Sequence, residues 1–395
     1  MPTSPLAASV VRRRNGQAAV SFIRQWQLGG IIPLIIAIVF ALDFGARFIS
    51  LDWLSFRAWE ALARYRAPCG PFRANAFYQN PLSYGDLAAL GNLPQYRQYR
   101  SEFFSTDSFG FRKNAPLKPS IAEKVQILVV GDSFIVGTGL NDDETLPATL
   151  EESLGFEVYN GGGHDTDRLG LDYILALARR LNMRRGTVVY EYYERHSLPS
   201  REDLFGHDIS CRDWKTKFSI WYDGFIDTSP LQIFFQKIFK RLQNNFILPN
   251  GSKSEVTVKT LKNGEPMLFY SRDFAISHWE RRPVDVDGFN NLAAELKKHD
   301  LQLVLILVPT KDAVYRPLLS DDEPETAEQN SYLDRVEKSL NESGIPVINL
   351  LHRFREKAQE EYREGRYIYW RDDTHWNSRG VEIAAREILQ QKLTD

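Results

Sequence analysis

The sequence predicts an α/β protein. A five-stranded parallel sheet lies between layers of helices, an inserted cap carries a β-hairpin, and one N-terminal transmembrane helix precedes the rest. Three observations carry that expectation. From residue 119 to the end, short apolar runs alternate with amphipathic stretches, the pattern of parallel strands with helices covering both faces. The alternation lapses over residues 197–285 and then resumes. Residues 25–42 form an 18-residue run with no charged side chain.

The apolar run includes "LGGIIPLIIAIVFAL" and, as a helix, spans about 27 Å, enough to cross a bilayer. Asp43 and Arg47 follow at i,i+4 and can pair where the helix ends. The first 42 residues hold Arg12, Arg13, Arg14 and Arg24 and no acid. That positive flank predicts a cytoplasmic tail over 1–24, an inner-membrane span over 25–48, and the bulk of the chain in the periplasm or outside the cell. A cleaved signal peptide is the alternative, but no small-x-small site follows Leu42. Residues 49–118, rich in Pro, Gly, Tyr and Arg without a sustained period, read as an extracytoplasmic connector.

The remainder, 119–395, divides as follows. "VQILVVGDS" (125–133) is a buried-strand run ending at glycine. "DDETLPATLEESLG" (142–155) has the acidic start, apolar spacing and terminal glycine of a helix. "FEVYNGGG" (156–163) is a strand entering a glycine turn, 166–182 a helix, and "TVVYEYYE" (187–194) a third strand. Within the insertion, 230–246 reads as an amphipathic helix whose Phe/Ile stripe packs on the main domain or, as the alternative, faces lipid or a partner. "EVTVKTLKNGEPMLFY" (255–270) reads as a hairpin turning at Asn263-Gly264. A helix over 287–300, a strand over 301–310, a helix over 325–344, a strand over 345–350 and a helix over 378–392 complete the pattern.

A net charge of −2 gives a nucleic-acid partner no electrostatic support. The two cysteines, Cys69 and Cys211, fit one disulfide or two thiols, and no C-x-x-C suggests a zinc knuckle.

Open parallel sheets bind ligands beyond the carboxyl ends of their strands. Ser133, Asn160–Gly163, Glu194-Arg195 and Thr310-Lys311 all fall at that edge. A serine hydroxyl needs a base, and the base an orienting acid. Of seven histidines His375 has the helpful setting: "WRDDTHWNSRG" (370–380) places it in a loop just before the last helix with two acids upstream, and either Asp372 or Asp373 can hold its ring. A D-x-H pair can also bind a metal, but no second histidine cluster accompanies it, so neither a metal nor a cofactor is expected. The backbone of Ser133 and of Gly162 in "NGGG" supplies candidate oxyanion donors. Lys311 suits an anionic substrate or a solvated loop. Tyr367, Tyr369, Trp370 and Trp376 suit either sugar faces or the core.

The stretch from "TDSFGFRKN" through "VQILVVGDSFIVGTG" to "NGGG" resembles the start of an SGNH (GDSL-type) hydrolase domain. "LVLILVPTKDAVYRPLL" and "RDDTHWNSRG" resemble, more narrowly, the membrane-associated SGNH proteins of alginate-type O-acetylation. The resemblance implies an SGNH-like three-layer sandwich and a serine acyl-enzyme that moves acetyl groups onto polysaccharide hydroxyls. It also implies a membrane-bound O-acyltransferase partner as acetyl donor. Ser133 is then the nucleophile, His375 the base and acid, and Asp373 the orienting carboxylate, with Asp372 at the position plain SGNH esterases use. Asn160, Tyr190 and Arg195 join Gly162 as candidate oxyanion or substrate contacts; Arg195 binds the acetyl oxygen or the sugar, or pairs with Glu194. Two departures stand out. The serine precedes the D-x-H element, as in ordinary SGNH hydrolases, and "YEYYERH" (190–196) replaces the block that usually supplies an asparagine.

Overall fold

The computed structural model describes residues 31–48, 57–63, 67, 70–115, 125–163, 170–205, 218, 222, 229–242, 255–274, 282–320 and 331–390. Cys69, Cys211 and the tail over 1–24 lie outside them. A helix over 31–46 (α1) is followed by α2 (Ala58–Leu62), β1 (Phe77–Ser83), α3 (Asp86–Leu90) and β2 (Arg100–Ser105). Next come β3 (Ile127–Val130), α4 (Ser133–Val136), α5 (Leu146–Leu154), β4 (Val158–Asn160), α6 (Leu171–Arg180) and β5 (Gly186–Tyr193). The insertion gives α7 (Pro230–Leu242), β6 (Val256–Thr260) and β7 (Pro266–Tyr270). The chain closes with α8 (Asp287–Lys297), β8 (Leu301–Val308), α9 (Lys311–Tyr315), α10 (Tyr332–Glu342), β9 (Val347–Asn349), α11 (Leu351–Arg363) and α12 (Ser378–Leu389).

The main sheet is parallel, in the order β4-β3-β5-β8-β9. Its three-layer form follows from alternation along β5. Val189 and Tyr193 face a core closed by α5, α11, α12 and the hairpin, while Val188, Tyr190 and Tyr192 face one closed by α6, α8 and α10. The chain leaves β3 for β4 on one side and returns to β5 on the other. The switch point therefore lies beyond the carboxyl ends of β3 and β5, where such sheets open a crevice.

The hairpin pairs β6 with β7, Val256 opposite Tyr270, and turns through Gly264 at φ 85°. It sits on the main domain: Leu261 bridges Leu319, and the Leu268 N–H donates to the Arg371 carbonyl at 2.9 Å. α7 departs from expectation. Among the described residues nothing covers its stripe; Phe235 is 64% exposed and Phe239 65%. α11 was not anticipated. Only Leu351, Phe354 and Ala358 of its thirteen residues are buried, so its apolar stripe is too narrow to stand out against charged neighbours. Of the expected span over 25–48, residues 31–46 are helical, and no helix among the described residues is long and apolar enough to cross a membrane.

Residues 70–115, read as connector, form a folded layer over the nucleophile's turn. β1 and β2 pair antiparallel, and Phe72 and Phe104 share a core with Ala58, Leu62 and Val136 of α4. Arg112 fastens this layer. Its guanidinium meets Asp142 at 2.9 Å and donates to the carbonyls of Phe103, Val136, Gly137 and Leu140 at 2.6–2.9 Å. Arg112→Met should cost about 3–5 kcal/mol in denaturant unfolding, the usual penalty for stranding one member of a buried ion pair.

Candidate active site

β3 ends at Val130, and the chain turns through Gly131 and Asp132 into α4. Gly131 has no room for a side chain: a Cβ there would lie 2.3 Å from Ile135 and 2.6 Å from Glu191. Asp132 caps the short helix by accepting the Phe134 N–H at 2.8 Å, and its own N–H donates to Glu191 at 2.9 Å. Ser133 is thereby fixed as the first residue of α4, at the switch point.

His375 comes from a loop closed on itself. Tyr369 bridges Trp376, and the Trp370 N–H donates to the His375 carbonyl at 3.2 Å. The next turn is α12, capped by Asn377. The imidazole Nε2 lies 2.7 Å from Ser133 Oγ, and Nδ1 lies 2.7 Å from Asp373 Oδ1. With Nδ1–H donated to Asp373, Nε2 is left to accept the serine proton. Phe134 packs on the ring at 4.9 Å between centroids, and Trp376 packs on Phe134.

Of the two aspartates, Asp373 meets the ring. Asp372 points away and accepts N–H groups from Gly85 at 2.7 Å and Gln98 at 2.9 Å. The second oxygen of Asp373 is held by Arg57 at 2.5 Å and Arg100 at 2.8 Å. Arg100 also reaches Asp372 at 3.1 Å. Burial alone would raise the Asp373 pKa; Arg57, His375 and Arg100 overturn that and hold it well below the usual carboxylate range. Asp86, at the start of α3, takes the N–H and hydroxyl of Thr374. Asp86, Asp373 and His375 bring ligand atoms within 4.8 Å of one another. Arg57 lies against both carboxylates, 3.7 Å from Asp86, so a guanidinium already supplies the charge a metal ion would bring.

Lys311, the first residue of α9, is buried. Its ammonium donates to the carbonyls of Leu268, Trp370, Arg371 and Asp373 at 2.7–3.0 Å. It neither lies in a solvated loop nor faces outward to a substrate; it ties the hairpin and the histidine loop to the end of β8. Burial pushes it down to about 7, against the pull of Asp372, Asp373 and Asp86.

The other candidates fall elsewhere. The Gly162 N–H is taken by Asn160 Oδ1 at 3.0 Å, and Asn160 Nδ2 donates to the Ile135 carbonyl at 3.1 Å. Both groups brace the glycine turn against α4 instead of opening into the cleft. The Ser133 N–H, an orphan of the first helical turn, has no partner among the described residues and is free to meet an oxyanion. Tyr190 faces the far core against Phe289. Arg195 pairs with Asp273, not Glu194, and stacks on Tyr270 at 4.3 Å. Glu194 accepts the N–H and hydroxyl of Thr310. Tyr369 and Trp376 are core residues, fully buried, while Trp370 lies under Arg100 at 4.2 Å.

Two measurements follow from this geometry. Ser133 should react with a fluorophosphonate. Asp373→Asn should slow that labelling by up to about ten thousandfold, Asp372→Asn far less, and Lys311→Met on the order of tenfold to a hundredfold through displacement of the loop. Burial raises Glu194 to about 7 from 4.5, against the Thr310 N–H. The folded protein then keeps a proton that the unfolded chain releases between about 4.5 and about 7, so stability falls as pH rises through that window. Denaturation midpoints at about pH 5 and about pH 8 should show this loss, and Glu194→Gln should shrink it.

Residues 265–393 match the family model described as SGNH hydrolase-like domain, acetyltransferase AlgX. The match includes Lys311, Asp373 and His375 but not Ser133. A probable alginate O-acetylase AlgJ from Pseudomonas fluorescens is 31% identical over 142 residues, 33% of this chain and 35% of that protein. Those of Pseudomonas putida and Pseudomonas syringae are each 26% identical, over 24% and 31% of this chain and 23% and 30% of theirs. The alignments thus span about a third or less of these relatives. A solved acetyl xylan esterase aligns over 68% of this chain and 98% of its own at 11% identity and a TM-score of 0.30, too slight a likeness to carry weight. Over residues 265–393 and these aligned segments, this chain is similar to SGNH hydrolase-like, alginate-type O-acetyltransferase proteins.

Proposed function

We propose that this chain moves an acetyl group through an acyl-enzyme on Ser133 to a hydroxyl of a polysaccharide. The observation that carries the reading is the unbroken line Ser133–His375–Asp373, with both contacts at 2.7 Å. Ser133 Oγ attacks the acetyl carbonyl carbon while His375 Nε2 takes its proton. The negative charge formed on the carbonyl oxygen meets the Ser133 N–H. Collapse expels the donor's oxygen, which leaves with the proton from Nε2, and the acetyl group stays on Ser133. A sugar hydroxyl then loses its proton to Nε2 and attacks the acetyl-serine, and the returning proton frees Ser133 Oγ. Asp373 keeps its charge throughout: Arg57 and Arg100 make it too weak a base to take the Nδ1 proton, so it orients and stabilises the imidazolium.

The acetyl donor in this reading is a membrane-bound O-acyltransferase. Residues 25–48 hold the protein in the inner membrane with the catalytic domain outside the cytoplasm, close to that donor. The relatives are named for acetylation of alginate, which supports an exopolysaccharide acceptor. Carbohydrate acetylesterase is the second reading. It is favoured by the order of the residues, serine before D-x-H, and differs only in that water attacks the acetyl-serine.

Both readings require acetate release from an activated acetyl ester, with Ser133→Ala slower by about a hundredfold or more. Offered sugar oligomers decide between them: acetylated oligomer means transfer, acetate alone means hydrolysis. Equal rates for wild type and Ser133→Ala would leave a non-catalytic scaffold that binds glycan or a membrane partner.

A further inference from the structure

α7 carries an apolar face that no described residue covers. Phe234, Phe235, Ile238, Phe239 and Leu242 are 38–65% exposed. Their spacing aligns them as one stripe along the helix. The same helix contains Lys237, Lys240 and Arg241 and no acid. An apolar stripe on a purely cationic helix is the composition of helices that lie in the headgroup region of anionic bilayers.

The place of α7 in the fold points the same way. Ser229 donates its hydroxyl proton to Asp43 Oδ1 at 2.5 Å, and the Leu231 N–H donates to the same oxygen at 3.3 Å. Asp43 thus caps α7 from the end of α1. Its other oxygen is held by Arg47 at 2.8 Å. Asp43 is also the first charged residue after the apolar run. α7 therefore starts at the level where α1 changes from apolar to charged. α1 itself exposes Ile32, Leu34, Phe40 and Leu42 at 55–70%, so the two apolar surfaces meet at one junction.

We propose that α7 lies flat in the outer surface of the bilayer, its Phe/Ile/Leu stripe among the acyl chains and its cationic character matched to anionic headgroups. The inference rests on the reading of residues 25–48 as a membrane span. It makes the insertion a second membrane contact, which stops the catalytic domain from turning freely on a single span.

The test uses the full chain with Cys69→Ser and Cys211→Ser, in vesicles of phosphatidylglycerol and phosphatidylethanolamine. An environment-sensitive fluorophore is placed by Phe239→Cys on the stripe, by Gln236→Cys off it, or by Ile38→Cys in the span. Acetyl-ester turnover shows that each labelled protein is folded. The labels at 38 and 239 should be quenched by spin-labelled lipid and shielded from iodide, and the label at 236 should show the reverse. In phosphatidylcholine alone, quenching at 239 should fall several-fold while that at 38 holds. A label at 239 open to iodide, with 38 quenched by lipid, overturns the proposal and leaves the span standing. A label at 239 shielded from iodide yet unquenched by lipid also overturns it, since the stripe is then covered by protein. A label at 38 open to iodide removes the span and this proposal together.

Discussion

The carboxylate of Asp373 is the joint on which the site depends. It has no exposure to solvent, and taking an ion out of water costs several kcal/mol unless partners replace the water. One oxygen faces His375 and the other faces Arg57 and Arg100. Three stretches far apart in sequence must therefore converge before the histidine has a fixed tautomer. Around it the carboxylates of Asp86, Asp372 and Asp373 meet the guanidinium groups of Arg57 and Arg100. Loss of any one leaves a buried charge without its partner, which is more costly than never having buried the pair.

The same logic extends under the nucleophile. Glu191 reaches the Gly131–Asp132 turn from β5, and burial, with the Asp132 carboxylate beside it, raises it well above the ordinary range. A neutral acid can brace the turn without adding a further negative charge beside the Asp132 carboxylate. Lys311 does the corresponding work for the histidine loop. An ammonium has only three protons for the four carbonyls around it, so the bonds are shared. No uncharged side chain of that length offers three donors. Ser133 and His375 are thus held from beneath by residues that need not touch a substrate.

What the sequence revealed follows from how local each signal is. The strands and most helices were legible because burial on both faces leaves runs such as "LQLVLILV", and because amphipathic spacing with an acidic start and a terminal glycine, as in "DDETLPATLEESLG", marks a helix. Ser133 and His375 were legible because each sits in a compact motif. Asp373 against Asp372 was not, since adjacent residues point apart and only Gly85, Gln98 and the arginines show which one faces the ring. Arg57, Asp86 and Arg100 carried no signal: each is an ordinary residue in an aperiodic stretch, and its role exists only through a partner more than 270 positions away. Tyr190 misled for the opposite reason. It stands at the right strand, but alternation along β5 turns it to the far face, and its neighbour Glu191 takes the near one.

The arginine clamp also ties chemistry to position. Arg57 is ten residues beyond Arg47, which closes the turn after α1. Ten residues reach at most about 36 Å when fully extended. Arg57 cannot leave Asp373 without stranding a buried charge, so Asp373 stays within that reach plus one arginine side chain of the end of α1, and the rest of the triad only a few ångströms further, however residues 48–56 run. On the proposed reading, the catalytic serine works close to the membrane surface as a consequence of its own charge network. An acetyl donor embedded in the same membrane then has to bridge only a short gap, while a soluble polymer must come to the surface to be modified. A residue that fixes the triad's acid thereby also limits how far from the bilayer the acyl-enzyme can stand.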